Sequence, residues 1–318
     1  MLSQCIFSVK TPLGPPVEII RHTFLPAQSA KPAKRVSLVA GLHGDELEGL
    51  YICHRLMETL KILEEQNAFK GEVHIYPAVN PQALETGTRL WPFFSVDINR
   101  TFGETNAPSL VTDTSRTLLE DLKSHSDLVV DFHASNLHLM ELPQIRIIKD
   151  FEKKLVPLAK LCNVDLVWVH PHAEIFESTL GYNLNRAKIP TLVIESGICL
   201  RIHKNYCEQI VLGILNLLQQ TGTIDCGEPL TKIAPPRIVQ PDQVAVIQAQ
   251  NAGLFVKQAE VGQMLNEGEK IGDLIGPDHV LEEVRSPCSG LLFTLREHPL
   301  TGKGTPLARI ATEEPFKP

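Results

Sequence analysis

His43, Asp45 and Glu46 stand together in VSLVAGLHGDELEGLYICHRLM (residues 36–57), where an apolar run breaks at two glycines and resumes with helical spacing. His43 and Glu46 form H-x-x-E, which a tight turn can fold so that both side chains converge on one cation. His138 and Glu141 repeat that spacing; context separates the two pairs. His43 follows the carboxyl end of an expected central strand and opens a helix, where open α/β sheets place their sites. His138 falls in an expected loop and reads as a surface or packing histidine. A zinc site built for hydrolysis takes three protein ligands and keeps one open position, commonly with two neutral imidazoles and a carboxylate. DLVVDFHAS supplies His133 just after a second apolar run, and Asp131, two residues earlier, can orient that ring through its other nitrogen. PTLVIESG ends a third apolar run with Glu195, a charge that a buried strand end keeps only for a task such as accepting a proton.

The elements that must hold these residues are legible as alternating β-type and helical patterns from residue 1 to about 220, the signature of a sheet covered by helices. RVSLVAG, GEVHIYPAVNP, SDLVVDFHAS, VDLVWVH and PTLVIESG read as short strands, near-continuous in apolar residues as expected for central strands buried on both faces. LEGLYICHRLMETLKILEEQ reads as a helix with Leu47, Leu50, Tyr51, His54 and Met57 along one face, and NYCEQIVLGILNLLQQTG as another ending on Gly222. Residues 221–240, with glycine and paired prolines, mark a boundary. We therefore expect a catalytic domain over 1–225 and an all-β module over 226–318, where glycines recur at close spacing between short strands.

Composition excludes several classes. The 43% hydrophobic and 21% charged fractions belong to an ordinary globular protein. A net charge of -7 with no basic patch argues against nucleic acid. Seven scattered cysteines without a C-x-x-C pair suggest reduced thiols and a cytoplasmic setting. No signal-like start or apolar run of membrane-spanning length is visible, so a membrane partner is not expected.

GLHGDELEG, Asn80-Pro81, GTRLWPFFSVDINRTFG, DFHAS and LVIESG occur in an order that resembles the succinylglutamate desuccinylase and aspartoacylase family, in its predicted deacylase branch, within the zinc carboxypeptidase superfamily. The resemblance spans nearly the whole chain. It implies a mixed, mostly parallel central sheet flanked by helices, followed by a small barrel-sandwich-like β domain. It also implies one Zn2+ per chain held by His43, Glu46 and His133, with Glu195 as general base. The family's upstream arginine falls on Arg89, its Asn-Arg pair on Asn99 and Arg100, and its active-site tyrosine on Tyr182. Asp97 departs from the asparagine common in the deacylase branch.

The implied reaction is hydrolysis of an amide in a small N-acyl amino acid. Arg89 would face the oxyanion, and Asn99 with Arg100 would grip a substrate carboxylate, for which a guanidinium fork is suited. A metallocarboxypeptidase acting on peptides and a non-catalytic binder of a small acid are the alternatives. A C-terminal module overhanging the site would favour small substrates, and deleting residues beyond about 240 would then widen specificity. VGQMLNEGEKIGDLIG and VRSPCSGLLF are similar to biotinyl and lipoyl domains, but His279 or a neighbour falls where the carrier lysine would be, which argues against a carrier role. A small-molecule substrate is the expected partner, and a homo-oligomer is compatible with the sequence.

Overall fold

The computed structural model describes residues 1–11, 13–27, 33–103, 109–227 and 233–316. Its first strands are β1 Leu2–Val9, β2 Val17–Phe24, β3 Arg35–Val39, β4 Glu72–Tyr76, β5 Leu128–Ala134, β6 Leu139–Ile148, β7 Leu166–His170 and β8 Thr191–Gly197. Helices α1 Leu47–Glu65, α2 Pro81–Thr86, α3 Ser109–His125, α4 Glu152–Ala159, α5 Leu180–Arg186 and α6 Lys204–Gln220 are interleaved with them. The large sheet runs β1-β2-β4-β3-β5-β8-β6. Its centre, β4-β3-β5-β8, is wholly parallel, while β1 and β2 form an antiparallel edge and β6 lies antiparallel to β8.

Period-2 geometry explains which residues reach the site. All seven residues of β5 are buried, as a strand covered on both faces requires. Alternate side chains of β5 and β8 divide between two cores. Val130, Phe132, Leu192 and Ile194 pack with α1 and α6, whereas Val129 joins Trp91, Phe102 and α3 on the other face. Asp131, His133, Val193 and Glu195 therefore share one side of the sheet.

Helix α1 presents a different face from the expected one. Leu50 and His54 point to solvent, and Ile52, Cys53, Leu56, Leu60 and Leu63 are buried. Both sets obey helical spacing, and packing against β5 and α6 selects the second. The β1–β2 hairpin and β6, which carry no strand expectation, are further additions. Polar residues on the outward side of β1 and Pro143 within β6 mask their strand pattern.

Beyond α6 come β9 Arg237–Val239, β10 Val244–Gln248, β11 Gly253–Lys257, β12 Met264–Leu265, β13 Lys270–Ile275, β14 Val280–Arg285, β15 Gly290–Arg296, β16 Leu300–Thr301 and β17 Pro306–Ala311. A separate antiparallel sheet, β14-β13-β11-β16, packs on the continuation of the large sheet around Phe255, Leu274, Leu292 and Ile310. That continuation is a direct strand pairing: Thr294, Leu295 and Arg296 of β15 pair with Glu141, Met140 and Leu139 of β6. Deleting the residues beyond about 240 would thus strip β6 of β15 and leave it paired with β7 and β8 alone. His279 lies at the exposed turn between β13 and β14, where its carbonyl accepts from Gly276 N at 2.9 Å. The seven cysteines form no disulfide, and among the described residues no helix is long and apolar enough to cross a membrane.

His74 in β4 is 2% exposed. Its Nδ1 meets the Thr23 hydroxyl at 3.0 Å, while Nε2 has Glu72 at 3.2 Å but outside hydrogen-bonding alignment. Burial first, then Arg21, His125 and Arg35, pushes its pKa down to about 3 from 6.5. The folded state therefore resists protonation that the unfolded chain accepts. Stability from this residue is complete above pH 6.5 and is lost as pH falls towards 3, amounting to about 2 kcal/mol by about pH 5. Urea unfolding of wild type and His74→Gln across this range is expected to show a shallower pH dependence in the variant.

Candidate active site

The turn after β3 brings His43 and Glu46 together. Gly41 adopts φ +73°, and a Cβ on Gly44 would lie 1.9 Å from the Ala83 backbone, so both glycines are required where the chain turns against α2. Glu46 immediately precedes α1, and its carboxylate spans two imidazoles: Oε1 is 2.8 Å from His43 Nδ1, and Oε2 is 2.8 Å from His133 Nδ1. All three residues are buried. The outward nitrogens are also fixed, His43 Nε2 by Asp97 at 2.9 Å and His133 Nε2 by Asp131 at 3.0 Å. Each ring is thus held by a carboxylate behind it, the arrangement that sets tautomer and orientation in histidine metal ligands. The three possible ligand atoms lie within 4.8 Å of one another. Two imidazole nitrogens and one carboxylate are a donor set suited to zinc. Asp45 is buried beside Cys199, and one oxygen each of Asp45 and Glu46 and the Cys199 sulfur lie within 4.8 Å of one another, so Glu46 is shared between this group and the His-Glu-His trio.

Burial alone would raise the Glu46 carboxyl, but His43 and His133 pull it well below the usual carboxylate range. Glu195 shows the opposite balance. It is the register partner of His133 in the parallel β5–β8 pair, and burial raises its carboxyl despite Arg146 and His133. A carboxylate that is costly to keep ionised is a better proton acceptor than an exposed one.

The remaining expected residues line the same cavity of about 380 Å³. Arg89 donates to Glu46 and to Asp97, each at 3.1 Å. Asp97 therefore has a role that its departure from asparagine left unexplained: it joins Arg89 to the outer nitrogen of His43. Asn99 accepts from Leu180 N at 2.9 Å through Oδ1, and Arg100 donates to the Asn99 carbonyl at 2.9 Å. Tyr182 packs edge-on against Phe151.

Three site residues were not anticipated. Arg146 Nη1 lies 3.2 Å from Glu195 and its Nη2 2.6 Å from Glu141. Glu141, only 1% exposed, also accepts from Gln144 at 3.0 Å and from Arg309 of β17 at 2.9 Å. Arg146 and Arg309 both stand over the Trp168 ring. A chain of alternating charges thus runs from Glu195 to the C-terminal module. Its one sequence signal was the second H-x-x-E: Glu141 belongs to the site, although His138 does not.

Fold and site together define a mixed α/β protein with a buried His-Glu-His cluster at the carboxyl ends of parallel strands. Residues 32–221 match the catalytic-domain model of succinylglutamate desuccinylase/aspartoacylase, and the chain belongs to that family of deacylases. It is 24% identical over 284 residues to N-alpha-acetyl-L-2,4-diaminobutyric acid deacetylase of Halomonas elongata, covering 86% of this chain and 81% of that protein. The same fold occurs in a succinylglutamate desuccinylase from Silicibacter sp. TM1040, with a TM-score of 0.80, 21% identity and coverage of 97% of this chain and 92% of that one. It occurs again in the product-bound ectoine utilization protein EutE (DoeB) of Ruegeria pomeroyi, with a TM-score of 0.76, 20% identity and coverage of 94% and 90%.

Glu141 pairs with two guanidinium groups at once, one oxygen to each. Glu141→Gln is expected to leave Arg146 and Arg309 without their shared counter-charge and to cost about 3 kcal/mol in urea unfolding. A loss below about 0.5 kcal/mol would show that solvent already compensates both arginines.

Proposed function

We propose that this protein is a zinc-dependent amidohydrolase that removes the acyl group from a small N-acyl amino acid. The observation that carries this reading is the pair of Nδ1 atoms, each 2.8 Å from a different oxygen of Glu46, with a carboxylate behind each ring. His43, Glu46 and His133 would hold one zinc ion. Zinc bound there supplies the Lewis acidity that amide hydrolysis at neutral pH requires.

The chain's own groups supply the rest. Glu195 accepts a proton from the attacking water and returns it to the amine nitrogen as the C–N bond breaks, leaving a carboxylic acid and a free amine. Arg89 provides positive charge for the carbonyl oxygen as it becomes an oxyanion. With Asn99 Oδ1 engaged by Leu180 N and Arg100 Nη1 by the Asn99 carbonyl, the Nδ2 donors of Asn99 and the remaining guanidinium donors of Arg100 are left to take the substrate carboxylate. Tyr182 forms part of the wall beside them.

Two further observations favour a small substrate over a peptide. The cavity has the size of a small-molecule site, and Arg309 from the C-terminal module forms part of its lining. The H. elongata relative, a deacetylase of an N-acetylated amino acid by name, agrees with this class. The unpaired cysteines agree with a reducing, cytoplasmic setting.

Glu195→Gln is expected to retain about one zinc per chain by metal analysis while kcat on N-acyl amino acids falls by about 10³. Near-normal turnover in this variant would remove Glu195 as the base. Asp131→Asn is expected to weaken zinc affinity by about 10–100-fold in a chelator competition, because His133 loses its orienting carboxylate.

A further inference from the structure

The cavity extends past the catalytic groups into an apolar recess. Leu192 and Ile194 of β8 are 0% and 1% exposed, yet Val193 between them, in the middle of a central strand, is only half-buried and faces the cavity. From Glu195 the recess follows β8 through Val193 to Thr191, about 13 Å at the rise of an extended strand. Thr191 is 1% exposed and closes the far end. Ile148 lies on the neighbouring strand β6, one alternate position beyond Arg146, which pairs with Val193. Phe151 and Tyr182 form the facing wall, with ring centroids 5.9 Å apart.

Charge in the cavity is confined to the catalytic end. Arg146 and Arg309 are paired with Glu195 and Glu141, and past these the described lining residues include no Asp, Glu, Lys or Arg. The imidazole in that region, His170, is kept neutral by burial and by Arg146 and Arg309, which push its pKa down to about 3. An acidic or ammonium-bearing side chain entering the recess would be desolvated there with no group of opposite charge to pair with, the unpaired Nε2 of neutral His170 offering one hydrogen bond. An apolar one would gain the full benefit of leaving water.

The carboxylate clamp identifies which half of the substrate enters. Asn99 is bonded through Oδ1 to Leu180 N at the start of α5, and Gly181 and Tyr182 of that helix line the recess. An amino acid whose carboxylate sits at Asn99 and Arg100 therefore has its side chain beside Tyr182.

We infer that the amino acid released by this enzyme carries an apolar side chain several carbons long, seated over Val193 and Ile148 between Phe151 and Tyr182. The inference rests on the reading of the site as an N-acyl amino acid hydrolase. It separates this chain from a diaminobutyrate deacetylase such as its H. elongata relative, whose named substrate carries a second amine.

The test is a series of N-acetyl amino acids given to the full-length, zinc-loaded protein: glycine, alanine, norvaline and norleucine, against aspartate, glutamate and 2,4-diaminobutyrate. Each added methylene is expected to raise kcat/KM about fourfold, with norleucine about 100-fold above the charged side chains. A flat series, or a preference for a charged side chain, overturns the inference. N-hexanoylglycine outperforming N-acetylnorleucine would overturn it too, by assigning the recess to the acyl half. Val193→Thr, close to valine in shape, is expected to lower kcat/KM for N-acetylnorleucine several-fold more than for N-acetylglycine, and an equal effect on both counts against the inference.

Calorimetry with free norleucine and free glutamate on zinc-loaded Glu195→Gln reads the recess without turnover. Norleucine binding at least about tenfold tighter supports the inference, and equal binding overturns it. If no N-acetyl amino acid is hydrolysed but norleucine binds selectively, the hydrolase reading fails and the recess assignment stands. If all are hydrolysed without apolar preference, the reverse holds.

Discussion

The buried carboxylate of Glu46 sets the terms for the rest of the structure. At 3% exposed it cannot be satisfied by water, and an ionised carboxylate in such a place must be paired and hydrogen-bonded. It meets His43, His133, Arg89 and the backbone N–H of Ala134. These partners come from the β3–α1 turn, from β5 and from the segment after α2, so the carboxylate is satisfied only when all three are docked. The requirement passes outward, because each imidazole is held from behind by Asp97 or Asp131.

A second buried network has the same logic and ties the first part of the large sheet to its C-terminal continuation. Glu141 lies on β6, directly opposite Thr294 of β15, and it joins Arg146, which faces Glu195, to Arg309 of the C-terminal module. The module is therefore part of the electrostatic surroundings of the proposed base. Pairing also cancels charge at that end of the cavity. Beyond it Val193, Ile148, Phe151 and Tyr182 line the cavity with apolar area, the basis of the side-chain preference inferred above.

Much of the site is legible in the chain because its chemistry is compact. His43 and Glu46 are three residues apart, Asp131 and His133 two apart on one strand face, and Glu195 ends an apolar run that no surface strand would carry. The central strands are legible for a related reason: burial on both faces forces a continuous apolar run. Harder to read are the edge hairpin β1–β2 and strand β6, whose polar residues and proline blur the pattern. Helix α1 is similarly ambiguous, since two overlapping faces are apolar and only the neighbouring β5 and α6 choose between them.

The sequence by itself determined the possible donor set, the expected base and the strand ends that carry them, because those depend on residue type and short spacing. Tertiary structure alone decided what surrounds them. Arg309 lies 168 residues from Glu141, Asp97 lies 54 from His43, and the half-buried state of Val193 depends on how α4 and α5 cover β8. Such contacts join residues that local pattern leaves independent. They form because buried charges must find partners and because the helices leave space over one strand, and both conditions exist only once the sheet is assembled.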